Sequence, residues 1–251
     1  MIITAAMMKS ALTLGAFASL LVAERALPYA RAARPVGRLA RTGALVLPAL
    51  GASALIAAPI AIFAAAHPLW KRPDAPLLFV IDFLLLDFIA WRLHRAYHEV
   101  DALWRLHQPH HLDRFLDVTT ALRFHALEIL FSALVRAAAI AAFAIPIAHV
   151  VAFEAILFAA AAFYHSNTAL PPRLERALSR VIVTPSLHWV HHHRRRADTD
   201  SNYGAVLTLW DRLFGFRNNS PRSPDMALGV EGVEEKSPLG LLLSPFSRNA
   251  R

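Results

Sequence analysis

Apolar residues in this chain fall in long runs, with the polar residues confined between them. Ile2 to Val22 is apolar apart from Lys9, and Thr42 to Ala66 carries no charge. A shorter run, Pro76 to Trp91, continues as a helical pattern through "RLHRAYHEV". Ala126 to Tyr164 holds 39 residues with only Glu128, Arg136, His149 and Glu154 as ionisable members. A helix needs about 20 residues to cross a hydrocarbon core of about 30 Å. The first run therefore predicts a membrane helix. It is a poor signal peptide, because its charge lies inside it and Glu24 follows directly. Residues 42–66 and 76–91 predict one hairpin. Residues 126–164 are long enough for a second, turning near Pro146. The expected fold is all-α and integral to the membrane, with four to five transmembrane helices in two hairpins. Residues 1–41 form an N-terminal helix and linker, and 42–251 form the main membrane domain.

Composition supports this reading. Of 251 residues, 56% are hydrophobic, more than an ordinary soluble domain carries. The chain has no cysteine, which removes disulfides and Cys-ligated metals. Its formal charge of +8 is mostly arginine. Arg25, Arg31, Arg34, Arg38 and Arg41 crowd the linker between the first two apolar runs, which assigns the linker to the cytoplasm. No base-reading module or Gly-rich phosphate loop points to nucleic acid. Counting crossings from the linker brings residues 92–125 and 165–251 back to the cytoplasmic side. The short apolar patch "PLGLLLSPF" near the end cannot cross and would lie on the membrane surface.

Those two polar segments hold the histidines. "HRAYH" places His94 and His98 four apart, "HQPHH" gives His107, His110 and His111, and "HWVHH" gives His188, His191 and His192. Positions i, i+3 and i+4 share one helix face, so each box can aim imidazoles at a metal. At least eight such histidines are too many for one ion and enough for two. The zinc-protease pattern HExxH fails, since Ala102 stands where its second histidine belongs. His67 and His149 lie at the outer turns and read as ordinary interfacial residues. His193 extends the last box. Relative to His188 it lies at about 140°, against about −60° for His191 and 40° for His192, so it is expected to point toward Arg194, Arg195 and Arg196 rather than a metal. That arginine run is a solvated face, or a contact for lipid phosphates or an acidic electron donor.

The segments "DFIAWRLHRAYHEVDALWRLHQPHH", "TALRFHALE", "FYHSN", "LHWVHHH" and "DSNYGAVLTLWDRLFG", in this order over about residues 80–217, resemble the fatty acid hydroxylase superfamily, which includes the sterol desaturases. The resemblance implies a four-helix membrane unit, a cytosolic helical histidine-rich cap and two iron ions, with O2 as co-substrate. Carried over by position, the metal ligands would be His94, His98, His107, His110, His111, His125, His165, His188, His191 and His192. His125, from "RFHALE", is open between ligand and ligand support. The expected activity is oxygen-dependent hydroxylation or desaturation of an unactivated C–H bond in a membrane lipid. The chain shows no cytochrome b5 domain, so electrons are expected from an external ferredoxin- or cytochrome-type donor with its reductase. A zinc hydrolase and a non-catalytic lipid- or metal-binding member of the same fold are the alternatives.

Three carboxylates are candidates to accept the outer N–H of a liganding imidazole and so set its tautomer. Asp87 shares a helical stripe with His94 and His98, Glu128 faces His125 one turn on, and Glu154 lies on the His165 face. Asn202, Tyr203, Gly204, Trp210, Asp211 and Arg212 are expected to shape the cap.

Overall fold

The computed structural model describes residues 2–73, 75 and 77–247, with side chains from residue 13 onward. Pro76, the expected start of the second crossing, the side chain of Lys9, and residues 248–251 lie outside the described residues. Within them the chain is helical. It forms α1 (Ile2–Ala26), α2 (Arg38–Ala52), α3 (Ala58–Ala66), α4 (Leu77–Glu99), α5 (Asp101–His111), α6 (Ala126–Ala142) and α7 (Ile147–His165). Five short helices complete it: α8 (Pro172–Leu178), α9 (Pro185–His191), α10 (Arg196–Thr199), α11 (Leu209–Leu213) and α12 (Pro238–Leu242). β-Pairing among the described residues is limited to isolated bridges.

A π-helical turn, Ser53–Ala57, joins α2 to α3 without a break, giving one helix from Arg38 to Ala66. Pro59 has no N–H to offer the carbonyl one turn back, and the N–H of Ala58 reaches Ser53 O instead. The 39-residue apolar run breaks near Pro146, as its length demanded. The chain turns through Ala144, at φ 52°, and Pro146 caps α7. Arg38–Ala66 and Ile147–His165 are each long and apolar enough to cross a membrane. α4 carries Asp82, Asp87 and Arg92, and α6 has only 17 residues. Asp82 and Asp87 of α4 are engaged inside the protein. Arg72 grips Asp82 through both guanidinium arms at 2.7 and 2.6 Å, with His149 Nδ1 also at 2.7 Å.

Ala64, Leu86, Ala137, Ile140, Ile145, Val150 and Phe153 build the main apolar core between α3, α4, α6 and α7. The C-terminal ends of α4 and α7 and the N-terminal ends of α2 and α6 all come to one side of this core, with the histidines and the short helices α8–α12. A buried charge network ties α2 to that side. Arg38 donates a fork to Asp113, Nε to Oδ1 at 3.0 Å and Nη2 to Oδ2 at 2.7 Å, and reaches Asp117 at 3.1 Å. Asp113 lies two residues past α5, and Arg123 Nε approaches it to 3.6 Å. All four groups are buried.

Removing one member of a buried ion network leaves its partners charged and unpaired, at a cost of about 3–5 kcal/mol. Arg38→Met should therefore cost about that much stability, with Arg38→Lys intermediate because it keeps the charge and loses the fork. Thermal and denaturant unfolding of the detergent-solubilised variants measures it, and a loss confined to a few tenths of a kcal/mol contradicts the network's role.

Candidate metal centre

α4, α5, α7 and α9 converge beneath the cap and bring nine histidines into one interior. His94 and His98 from α4, His107 and His111 from α5 and His191 from α9 form one group. His110 from α5, His165 at the end of α7, and His188 and His192 from α9 and the residue after it form the second. Within each group the ligand-type nitrogens lie within 4.8 Å of one another. Eight of the nine rings are buried, and His94 is half-buried.

A box whose imidazoles share a helix face could aim all three at one ion, and the grouping does otherwise. Both boxes are divided between the groups. His107 and His111 stay together while His110 crosses over, and His188 and His192 stay together while His191 crosses. The reason is helical. Residues i and i+4 differ by about 40° and stack, whereas i+3 and i+4 diverge by about 100°. Every four-apart pair, His94 with His98 included, therefore shares a group, and each i+3 histidine joins the other.

The outer nitrogens set the inner ones. His94 Nδ1 meets Tyr203 O at 3.0 Å, and His191 Nδ1 meets Ser201 O at 2.7 Å. His165 Nδ1 meets Ala161 O at 2.8 Å, and His107 Nδ1 meets a Glu128 carboxylate oxygen at 2.8 Å. A carbonyl or carboxylate oxygen only accepts, so Nδ1 carries the proton in these rings and Nε2 presents a lone pair. Burial, joined by neighbouring imidazoles, pushes the pKa values of His94, His98, His110, His111, His188, His191 and His192 well below the ordinary range. Burial takes His107 down to about 3. The rings are therefore neutral, the form that binds a metal.

The arrangement fits metal ions. Facing Nε2 atoms lie 3.2 Å apart for His107–His111, 3.1 Å for His110–His165, 2.9 Å for His165–His188 and 3.1 Å for His188–His192. An ion bound by imidazoles at about 2.1 Å spaces neighbouring nitrogens by about 3 Å. The Nε2 atoms of His94 and His191 are buried with no hydrogen-bond partner among the described residues. Orphaned buried nitrogens are costly unless something else meets them.

Of the three candidate carboxylates, Glu128 touches a clustered ring, and the ring is His107 rather than His125. Asp87 does not reach His94 or His98. Its carboxylate accepts from Val206 N at 2.9 Å, Leu207 N at 3.3 Å and Trp210 Nε1 at 2.9 Å, pinning the cap loop to α4. Glu154 is half-buried on α7 and lies outside both groups. Asp211 repeats the Asp87 pattern, accepting from Trp91 Nε1, Tyr203 N and Gly204 N at 2.8–3.0 Å. A side chain at Gly204 would sit 2.6 Å from Val183 and 2.9 Å from Leu207 O, so only glycine fits there. The Ser201 and Tyr203 carbonyls carry no signal in sequence, because every residue has one. Asn202 between them, at φ 54°, is the single hint.

His125 stands apart from both groups. Its Nδ1 caps α6 by accepting from Leu127 N at 3.2 Å, so its proton sits on Nε2, which donates to Leu242 O at 3.1 Å. Neither nitrogen keeps a free lone pair in this arrangement, and His125, open in the sequence between ligand and ligand support, here serves as a helix cap. His193 also stands outside, bonded through Nδ1 to Asp198 at 2.6 Å. His193 lies past the end of α9, in an isolated bridge with Leu228, so no helical angle sets its direction, and its partner is an acid in place of the expected arginines.

Three variants in a row separate the roles. His191→Ala should weaken metal binding at the first group only, and His192→Ala at the second only. Each should lower bound transition metal by about one ion per chain, since ions take four to six ligands. His193→Ala should leave both intact. Metal analysis of the purified proteins tests this, and equal losses in all three would refute the divided boxes. His125→Ala should cost about 1 kcal/mol through the lost cap while metal content holds, and His125→Asn, a good cap, should restore most of it.

The profile of the fatty acid hydroxylase family matches residues 79–216, more than half of the chain. Ornithine lipid hydroxylase OlsE of Rhizobium tropici is 29% identical over 221 residues, which cover 85% of this chain and 65% of that protein. Alkylglycerol monooxygenase is 34% identical in Homo sapiens and 37% in Xenopus tropicalis, over 57% of this chain and 31% of each relative. The chain thus spans just under two thirds of the first relative and about a third of the others. No solved structure matches. All nine clustered histidines fall within the matched region, and the chain belongs to the fatty acid hydroxylase family.

Proposed function

We propose that this protein hydroxylates an unactivated C–H bond of a membrane lipid, using O2 and two iron ions held by the two histidine groups. The observation that carries this reading is the pair of adjacent, largely buried, all-imidazole groups in a chain of this family. His94, His98, His107, His111 and His191 would hold one ion, and His110, His165, His188 and His192 the other. Such ions, when bound and reduced, would supply electrons that activate O2 for attack on an alkyl C–H bond, one oxygen atom entering the lipid and the other leaving as water. Ornithine lipids and alkylglycerols, the molecules for which the relatives are named, support a polar-headed lipid as the substrate class.

The chain's own residues do the rest. Glu128 and the carbonyls of Ala161, Ser201 and Tyr203 hold the Nδ1 protons outward and keep Nε2 aimed inward. Phe124 stacks on His110 at 4.7 Å, and Tyr97 on His107 at 5.4 Å. Trp104 packs beside His98 and His111. These rings exclude water from the interior, which protects a strong oxidant from side reactions. Electrons would come from a separate ferredoxin- or cytochrome-type protein with its reductase.

The reading places the cap in the cytoplasm and α2–α3, α4, α6 and α7 across the bilayer. The arginine-rich linker supports it. So does the meeting of alternate helix ends on the histidine side, while the Arg72–Asp82–His149 cluster lies at the far ends of α4 and α7.

Membranes from cells with and without the protein, supplied with oxygen-18 gas, should differ in a lipid carrying one labelled hydroxyl. Glu128→Gln should retain part of this activity, and His165→Ala should abolish it. A purified protein holding one zinc and no iron after iron-replete anaerobic expression, or a lipid product formed without O2, overturns the proposal.

A further inference from the structure

The segment from Pro238 to Phe246 is two-sided. Leu239, Leu243 and Phe246 are exposed by 64%, 53% and 72%, while Leu241, Ser244 and Pro245 are buried. Leu241 packs with Leu45 of α2 and with Leu112 next to His111. Leu45 lies seven residues along α2 from Arg38, a distance of about 10 Å at 1.5 Å per residue. Around it α2 exposes Leu39, Leu47 and Leu50. The two-sided segment therefore sits against the first turns of a helix long and apolar enough to cross a membrane, and its exposed apolar side chains add to that helix's own exposed leucines. An interfacial helix buries its apolar face about 5–10 Å into the headgroup–acyl boundary, which is the depth this position implies.

We propose that α12 and the 3₁₀ turn after it (Ser244–Phe246) lie in the lipid boundary on the histidine side, and that the bilayer is what covers Leu239, Leu243 and Phe246. The inference rests on the membrane reading of α2–α3. It adds a lipid-seated wall to the metal-binding interior. Leu242 O receives the His125 bond at the start of α6, and Glu128, three residues on from His125, holds His107. Lys236 Nζ ties the same segment down through Ser244 Oγ at 2.7 Å, and its neighbour Glu235 meets Arg41 at 2.9 Å. The cap thereby rests on lipid through a segment bonded to its histidine helices.

The chain has no cysteine, so single nitroxide labels can be placed without background. Leu243→Cys and Phe246→Cys report the segment, Leu50→Cys the exposed face of α2, and Arg194→Cys the exposed cap. The full-length protein goes into phosphatidylcholine–phosphatidylglycerol vesicles. Collision with O2, which enters lipid, and with a water-soluble nickel chelate is then measured by electron paramagnetic resonance. Retained metal content checks that each labelled protein is folded. The labels at 243 and 246 should meet nickel about fivefold or more less often than the label at 194, at a depth between those at 194 and 50. Nickel access at 243 and 246 equal to that at 194, with the label at 50 still shielded, overturns this inference alone. Nickel access at 50 as well overturns the membrane reading. Shielding at 243 and 246 that vanishes as the protein-to-lipid ratio is lowered means a second copy covers the face, and also overturns the inference.

Discussion

Nine neutral imidazoles crowded into a buried interior leave some of their ring nitrogens without a hydrogen-bond partner among the described residues. A neutral ring offers one donor and one acceptor. His94, His107, His165 and His191 commit their donor to an oxygen outside, so their remaining lone pairs all point inward. Burial keeps the cap histidines from protonating to relieve the crowding. A cation between the lone pairs would resolve the arrangement, and much of the surrounding structure holds the rings in place.

That holding is done by buried polar groups on parts of the chain distant in sequence. Asp87 and Asp211 on α4 and α11 fasten the loop that carries the Ser201 and Tyr203 carbonyls. Arg38 and Arg123 fasten the residues just after His111 through Asp113. Arg222 lies 3.7 Å over Trp189, between His188 and His191, and 3.9 Å over Tyr29. It connects the last histidine box to the N-terminal linker. Burying such charges stabilises little by itself, but once buried and paired they permit few alternative arrangements. A metal site requires that restriction, because a ligand displaced by an ångström no longer binds.

Histidines close in sequence are not equivalent. His192 and His193 are adjacent, yet one faces His188 and the other faces Asp198. His125 is far nearer to Glu128 in sequence than His107 is, yet the carboxylate meets His107 while His125 turns both nitrogens to the backbone. Which role a ring takes depends on which acceptor or donor reaches its outer nitrogen first.

The sequence by itself determined the features that local periodicity and composition dictate. Its apolar runs set the long helices and the break near Pro146. The four-apart spacing of His94 and His98, His107 and His111, and His188 and His192 set the stacked pairs, because that angle is a property of the helix alone. Tertiary structure decided which pairs share a group, since that depends on how α4, α5, α7 and α9 approach one another. It decided that Glu128 meets His107 and not His125, that Asp87 serves the cap loop, and that two backbone carbonyls orient His94 and His191. A carbonyl is the same in every residue, and a carboxylate's partner across 20 or 120 positions depends on packing. No spacing rule along one chain reaches that far.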